Sequence, residues 1–453
     1  MAGFLHILAL RPLVEDLTKD EAVPVTRTQS RARIHPAWFV AFAAFVALVG
    51  AAGFRATPSV LIDPLHEEFG WSTTTISAAV SINLLLYGLT APFAAALMER
   101  LGMRKVVTGA LVLVAAGSGL TVFMTASWQL LLCWGVLVGL GTGSMALAFV
   151  ATVTSRWFVR HRGLVSGILT AAGAAGQLVF LPLLAALATN DGWRTASLVV
   201  AFAALAVVPI TLIFLRDHPS ELGLTAYGAT EGEEAPTPTS GAARRALGVL
   251  AQAAKTRTFW LLAAGFAICG ASTNGLVGTH FVPAAHEHGM PPTTAASLLA
   301  LVGVFDVAGT IASGWFTDRV NPRILLGAYY FLRGGSLLLL PHLFAPTTEP
   351  PMWAFIIFYG LDWVATVPPT VALARERFGM SGPIVFGWVF AAHQVGASIA
   401  AVGAGAIHDH AGSYDLAWYL AGGLCALAAV MSLLIPSVVS SGEPRNMPLT
   451  RSA

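Results

Sequence analysis

Five ionisable side chains fall well inside long apolar runs of this chain: Arg55, Asp306, Arg333, Asp362 and His393. Each brings a definite chemistry. A guanidinium holds a carboxylate through two parallel hydrogen bonds, so Arg55 is a candidate anion-binding residue. Its other readings are a structural pair with an acid such as Asp63, or a side chain that reaches out to the membrane surface. A carboxylate at mid-depth is either paired or protonated, which makes Asp306 a proton carrier or half of a buried pair. Arg333 and Asp362 read as a structural pair between neighbouring spans. Asp362 also opens D-W-V-A-T-V-P-P-T, whose prolines Pro368 and Pro369 break a helix and free carbonyls, leaving it a role in structure or in coupling. His393, in F-A-A-H-Q-V-G, binds an anion as imidazolium, relays a proton beside Gln394, or sits neutral in the core. Asn83 and Tyr87, four apart on one face of the second span, and Asn274 and His280 in the seventh add polar atoms. Trp134, Trp363 and Trp388 either shape a cavity or simply pack.

These charges stand out because the rest of the chain is so apolar. Its 453 residues are 56% hydrophobic and 11% charged, with mean hydropathy +0.73, against about 25% charged in soluble domains. Apolar runs of about 20 residues recur, the length that crosses a bilayer core as a helix. The runs are continuous rather than alternating, so helices are expected and not a barrel. Twelve spans fit: 38–60, 74–98, 106–124, 128–155, 163–189 and 193–215, then 259–282, 293–316, 324–345, 353–374, 383–408 and 414–435. The implied domains are an N-terminal tail (1–37), a six-helix bundle (38–215), a linker (216–257), a second six-helix bundle (258–435) and a C-terminal tail (436–453). The fold class is therefore an all-α membrane protein of two pseudo-symmetric bundles.

The 25 Lys and Arg are distributed unevenly. Apart from Arg55, Arg194 and Arg333 they fall in the two tails, the linker and alternate loops, while the intervening loops carry mainly acids, among them Asp63, Glu67, Glu68, Glu287 and Asp409. By the positive-inside rule both termini are cytoplasmic, and the protein is a multi-pass component of the cell (inner) membrane. Residues 1–13 are too short and too weakly apolar for a secretion signal and read as a disordered tail or a misplaced start. Cys133, Cys269 and Cys425 lie in apolar runs, with no disulfide or metal-ligand spacing.

Two loops mark the repeat. Residues 95–105, A-A-L-M-E-R-L-G-M-R-K, follow the second span, and residues 314–323, G-W-F-T-D-R-V-N-P-R, follow the eighth. An acid followed by an arginine at the same point of two six-span blocks indicates duplication. These loops resemble the signature of the major facilitator superfamily. Glu99, Arg100, Gly102, Arg104 and Lys105 match its acid, bases and glycine; Ala95 stands where glycine is usual. The second copy keeps Gly314, Asp318 and Arg319. Within that superfamily, residues 53–72, 303–310 and 405–423 resemble the monocarboxylate and oxalate/formate branch. Asp306 matches that branch's eighth-span aspartate, Thr310 stands at its arginine position, and His393 is the ionisable group in the span where the oxalate/formate side carries lysine.

The resemblance implies a secondary active transporter of a small organic anion, most simply a proton-coupled monocarboxylate carrier working by alternating access. Arg55, His393, Asn83, Tyr87 and Asn274 are then the substrate-binding candidates. Asp306, His393 and Asp362 are the proton-coupling candidates, and the two loop motifs hold the cytoplasmic side closed. Its partners are the anion, the proton and the lipid bilayer, not nucleic acid, and such a bundle can work as a monomer. No P-loop, cofactor motif or nucleophile–His–acid set is present in the sequence, so no enzyme, cofactor or metal is expected. The alternatives are efflux of drug-like amphipathic compounds, or a non-transporting membrane sensor. The fourth span has no arginine and the fifth no Gly-Pro pair, which disfavours drug export.

Overall fold

The structure, a computed structural model, describes residues 35–229 and 242–436; at 54–56, 91, 92, 95, 147, 148, 174, 242 and 243 it describes the backbone alone. The tail readings at 1–34 and 437–453 lie outside the described residues, as does the acidic, proline-rich part of the linker.

Eleven helical stretches are long and apolar enough to cross a bilayer. One of them, Pro350–Ala411, is 62 residues long, far more than the about 20 that one crossing needs. It folds back at Gly379–Ser381, where Gly379 takes φ 51 and ψ −125, so the passes number twelve. They are α1 (Pro36–Phe69), α2 (Thr73–Leu101), α3 (Met103–Thr121), α4 (Ser127–Trp157), α5 (Arg162–Asn190), α6 (Trp193–Phe214), α7 (Arg257–Glu287), α8 (Pro292–Thr317), α9 (Pro322–Leu343), α10 (Pro350–Asp362 and Val367–Phe378), α11 (Gly382–Ala411) and α12 (Asp415–Leu433). An even number of passes puts the linker and both described chain ends on one face, called here the linker face; the opposite is the far face. Large apolar side chains such as Phe123, Ile311 and Phe331 project outwards and are two-thirds or more exposed, as suits a lipid-facing surface.

The helices start where local chemistry tells them to. Ser72 and Thr256 cap α2 and α7 by accepting the backbone N–H of Thr75 and Phe259. Prolines open α8, α9 and α10, where a missing N–H costs nothing. Four passes are irregular, and they are the first and fourth of each half. The α1 helix breaks at Thr57, because Pro58 has no N–H to continue the ladder. The α4 helix widens to a π-helix over Leu131–Val138 and breaks again at Met145. The α7 helix is π over Ala271–Val277, and α10 is interrupted between Asp362 and Val367. The duplication seen in the loops thus extends to the places where the backbone is loosened.

The halves meet along two seams, α2 with α11 and α5 with α8. Glycines allow the tight approaches that tie each half together. Gly309 of α8 lies against the Leu361 carbonyl of α10, and Gly396 of α11 against Ala267 of α7. One element was not expected from the sequence: the linker contains a helix, Ala242–Ala253, which packs across α2 and α11 on the linker face. The Trp388 indole donates to its Ala246 carbonyl at 3.0 Å.

At Gly309 any side chain meets backbone, whereas Gly335 of α9 has open space around it. Gly309→Ala should therefore lower the thermal unfolding midpoint in detergent, by an overpacking cost of about 1–3 kcal/mol. Gly335→Ala should leave it level or raise it slightly, as the better helix former. Tryptophan fluorescence follows both; equal midpoints would contradict the packing.

Candidate functional site

A cavity lies between the two halves at mid-depth. Pro58 and Ser59 of α1 and Gln177 of α5 line it from the first half; Asn274 and Thr279 of α7 and Trp363 of α10 line it from the second. These come from the loosened stretches of α1, α7 and α10. Loosening is what lets polar atoms and free backbone face a cavity inside a membrane. About 40 Å³ of it admits the centre of a water molecule, room for about three waters. An organic acid needs more, so the halves must move apart somewhat to admit one.

Beneath the cavity, side chains cap the break in α10 alongside its own short backbone turns. Arg333 of α9, fully buried, donates from Nε to Asp362 Oδ2 at 2.5 Å. Its Nη2 donates to the carbonyls of Asp362 and Trp363 at 2.5 and 3.2 Å. Asp306 of α8 accepts the freed Val364 N–H at 3.0 Å and the Thr310 hydroxyl at 3.1 Å. Ser313 donates to the Ala365 carbonyl. The pair read between Arg333 and Asp362 is present. Asp306 is not half of a buried ion pair: its partners are a backbone amide and a hydroxyl, not a cation. It sits one turn beyond Val302, which lines the cavity. Thr310, at the branch's arginine position, hydrogen-bonds the aspartate instead of facing an anion.

The other sequence candidates divide. Asn274 lines the cavity. Asn83 lines a smaller adjoining cavity with Pro58 and Val80 instead, and its amide donates to the Trp134 carbonyl at 2.9 Å, inside the first half. Tyr87, one turn away, instead meets Phe390 of α11 across the seam, with ring centroids 6.3 Å apart. His393 lies between Phe266 and Phe390 at 4.9 and 5.8 Å, on the α7 side of α11 and away from the cavity lining. Arg55 lies on α1 three residues before Pro58, and its side chain lies outside the described residues. Sequence reasoning missed Ser59, Gln177 and Thr279. Gln177 was findable as a lone amide in an apolar span.

The loop motifs do not bridge the halves. Among the described residues, no hydrogen bond or ion pair joins Glu99, Arg100, Lys105 or Asp318 to the other half. Gly102 makes the turn with φ 90 and leaves room for Asp217, whose carboxylate accepts the Arg104 N–H at 2.8 Å. Arg319 stacks on Trp315 at 4.0 Å. The halves are instead tied at the far face. Asp409 of α11 accepts the N–H groups of Thr73 and Thr74 at 3.0 and 2.8 Å, at the exposed N-terminus of α2, where a carboxylate is favoured. Ser81 and Ser398 meet hydroxyl to hydroxyl at 2.7 Å along the same seam. Asp63 of α1 pairs with His286 of α7 at 2.8 Å, and Glu68 clasps Arg194 and Trp193 within the first half.

Twelve passes in two matched halves around an inter-half cavity make a membrane carrier. The Major Facilitator Superfamily profile matches residues 40–382 and 281–451, so this chain belongs to the Major Facilitator Superfamily, a family of transporters and not of enzymes. Among its relatives, an uncharacterized MFS-type transporter, YcxA of Bacillus subtilis (strain 168), is 27% identical over 408 residues, 88% of this chain and 94% of the other. Monocarboxylate transporter 13 of Rattus norvegicus is 27% identical over 89% of this chain and 90% of its own length. Monocarboxylate transporter 3 of the same organism is 29% identical over 87% of this chain and 78% of its own. Among solved structures, a bacterial homologue of the human lysosomal transporter Spinster superposes with TM-score 0.69 at 15% identity, covering 88% of this chain and 96% of that one. A D-xylose–proton symporter gives 0.65 at 14%, over 88% and 97%. These two establish the fold.

Arg333 and Asp362 should be separable by mutation. Asp362→Asn leaves a buried guanidinium without its counter-charge and should cost about 3–5 kcal/mol. Replacing both, as Arg333→Met with Asp362→Leu, should recover part of that loss. A thermal unfolding series checks it; an unaltered midpoint in Asp362→Asn would contradict the geometry.

Proposed function

We propose that this protein is a secondary active transporter of a small organic anion, a monocarboxylate in particular, moved together with a proton by alternating access. The observation that carries the substrate class is the likeness, over almost the whole chain, to proteins named monocarboxylate transporters. The geometry supports the mode of working. One cavity is shared by both halves, the far face is tied across them by Asp63, Asp409 and Ser81, and the loop motifs of the linker face are not engaged with the other half. In this reading Arg55, one turn before the cavity wall, holds the carboxylate, and Asn274 orients it by hydrogen bonding. Asp306, at the cavity floor, exchanges a proton as the α10 break shifts, with Asp362 as the neighbouring acid. His393 senses the anion's charge from α11. Tyr87 acts through the seam and Asn83 through its bond inside the first half, rather than by touching the solute.

We further place the linker face and both tails in the cytoplasm, with the protein in the cell (inner) membrane, from the concentration of Lys and Arg in those segments. The Glu99 and Asp318 loops then close the cytoplasmic side in the opposite conformation.

The test is reconstitution in liposomes with an internal pH dye, adding lactate, pyruvate, formate and oxalate in turn. Acidification above protein-free liposomes is expected for a monocarboxylate. Arg55→Ala should reduce it by about tenfold or more, the worth of a charge-assisted hydrogen bond of about 1.5–3 kcal/mol. Asp306→Asn, which keeps an oxygen for the Val364 N–H, should fold normally and lose proton-coupled uptake. No response to any of the acids would move the assignment to efflux of amphipathic compounds.

A further inference from the structure

The far face contains a buried base that none of the above uses. His280 of α7 is wholly buried, 0% exposed. Its Nε2–H donates to the Ala401 carbonyl of α11 at 2.8 Å. A carbonyl can only accept, so this bond fixes the tautomer and leaves Nδ1 as a bare lone pair. That nitrogen is buried and has no hydrogen-bond partner among the described residues. The neighbouring residue, Thr279, lines the inter-half cavity. A ring tied by one nitrogen, with a lone pair enclosed and unmet, is built to hold one more proton if its surroundings change.

In this conformation no acid is placed to receive it. The charged and titratable groups around the site are all engaged with other partners. On α1, Asp63 pairs with His286. On α7, Glu287 accepts from His408 at 2.5 Å. On α11, Asp409 holds the N-terminus of α2. Tyr414, at the entry to α12, lies 5.0 Å from the His280 ring and 4.5 Å from that of His408, centroid to centroid. The α8 segment facing α7 has no charged residue before Asp306. An imidazolium enclosed here would lack both water and a counter-charge, which the interior does not tolerate.

We propose that His280 is a proton-binding site of the transport cycle, loaded from the far side while that face is open and emptied when it closes. This rests on the organic-acid reading above. With the far face open, water reaches the ring and Nδ1 takes a proton. On closure the ring loses its water. The Nδ1–H bond breaks, its electron pair returns to nitrogen, and the proton goes to an oxygen of the bound carboxylate, forming its O–H bond. The imidazolium thereby gives up its charge as the ring loses its water. One proton crosses with one carboxylate.

Proteoliposomes carrying the parent protein or His280→Gln separate the claims. Glutamine keeps a side-chain N–H for the Ala401 carbonyl but offers no base. Two fluxes are read with labelled pyruvate or lactate: counterflow exchange at equal pH, and net uptake driven by acid on the far side. The expected result is exchange within about twofold of the parent and net uptake reduced at least about tenfold, with its pH dependence flattened. Retained acid-driven uptake in His280→Gln overturns the proposal. Absence of counterflow in the parent overturns the transport reading instead. A second measurement stands if His280→Gln does not fold or loses both fluxes. Ser398→Cys lies one turn from Ala401, and its labelling by a membrane-impermeant maleimide reports opening of the far face. In the otherwise native protein, and also with His286→Gln, labelling normalised to that of a free thiol at the same pH should rise as the far side is acidified, because the protonated ring favours opening. A normalised labelling rate independent of pH overturns the proposal.

Discussion

A backbone group left open inside a bilayer has no water to turn to, and that constraint governs the second half of this molecule. The α10 helix is broken beside the cavity, which frees carbonyls at Trp363 and Ala365 and an amide at Val364 and leaves the Asp362 carbonyl with a single turn-type bond from Ala365. Side chains from α8 and α9 take up every one of these: Arg333, Ser313 and Asp306. The arginine is held in turn by the Asp362 carboxylate. The charges buried in this half are therefore first a scaffold for an irregular helix. The same scaffold makes them responsive, because any shift of the break alters what Asp306 and Asp362 touch.

The break also sets where the cavity can be. Trp363, the first residue past Asp362, is part of the wall, facing Pro58 and Ser59 just after the break in α1. Around this point the direct hydrogen bonds and ion pairs between the halves lie towards the far face. The far-face contacts run from Asp409 at the head of α2 through Ser81 and Ser398 to Asp63 and His286. The small internal volume follows from that closure. The linker helix adds a light tie across the same two seam helices at the opposite face, through Trp388.

Much of this was legible in the sequence. Twelve apolar runs, the duplicated acid–arginine loops and the linker position carried the architecture, because hydropathy over 20 residues is a strong signal. The Arg333–Asp362 pair was legible too, since two opposite charges in adjacent spans have few other solutions. Lateral aim within a span was not legible. Asn83 and Asn274 look alike as single polar residues, yet one caps a carbonyl inside its own half and the other faces the cavity. Only the rotation of each helix, set by packing, separates them. Asp306 was read as a proton carrier or as half of an ion pair, and in place of a cation it meets a backbone amide fifty-eight residues away, freed by a helix break. The linker helix was hidden by short length and by the polar composition around it.

The central claim is that transport requires the far-face seam to part. Ser81→Cys with Ser398→Cys tests it most directly, since the two hydroxyls are 2.7 Å apart and the native cysteines described here, Cys133, Cys269 and Cys425, are buried and free. The account predicts that oxidation cross-links this pair across the halves, that uptake into proteoliposomes stops, and that a reductant restores it. Full uptake with the cross-link complete would contradict it.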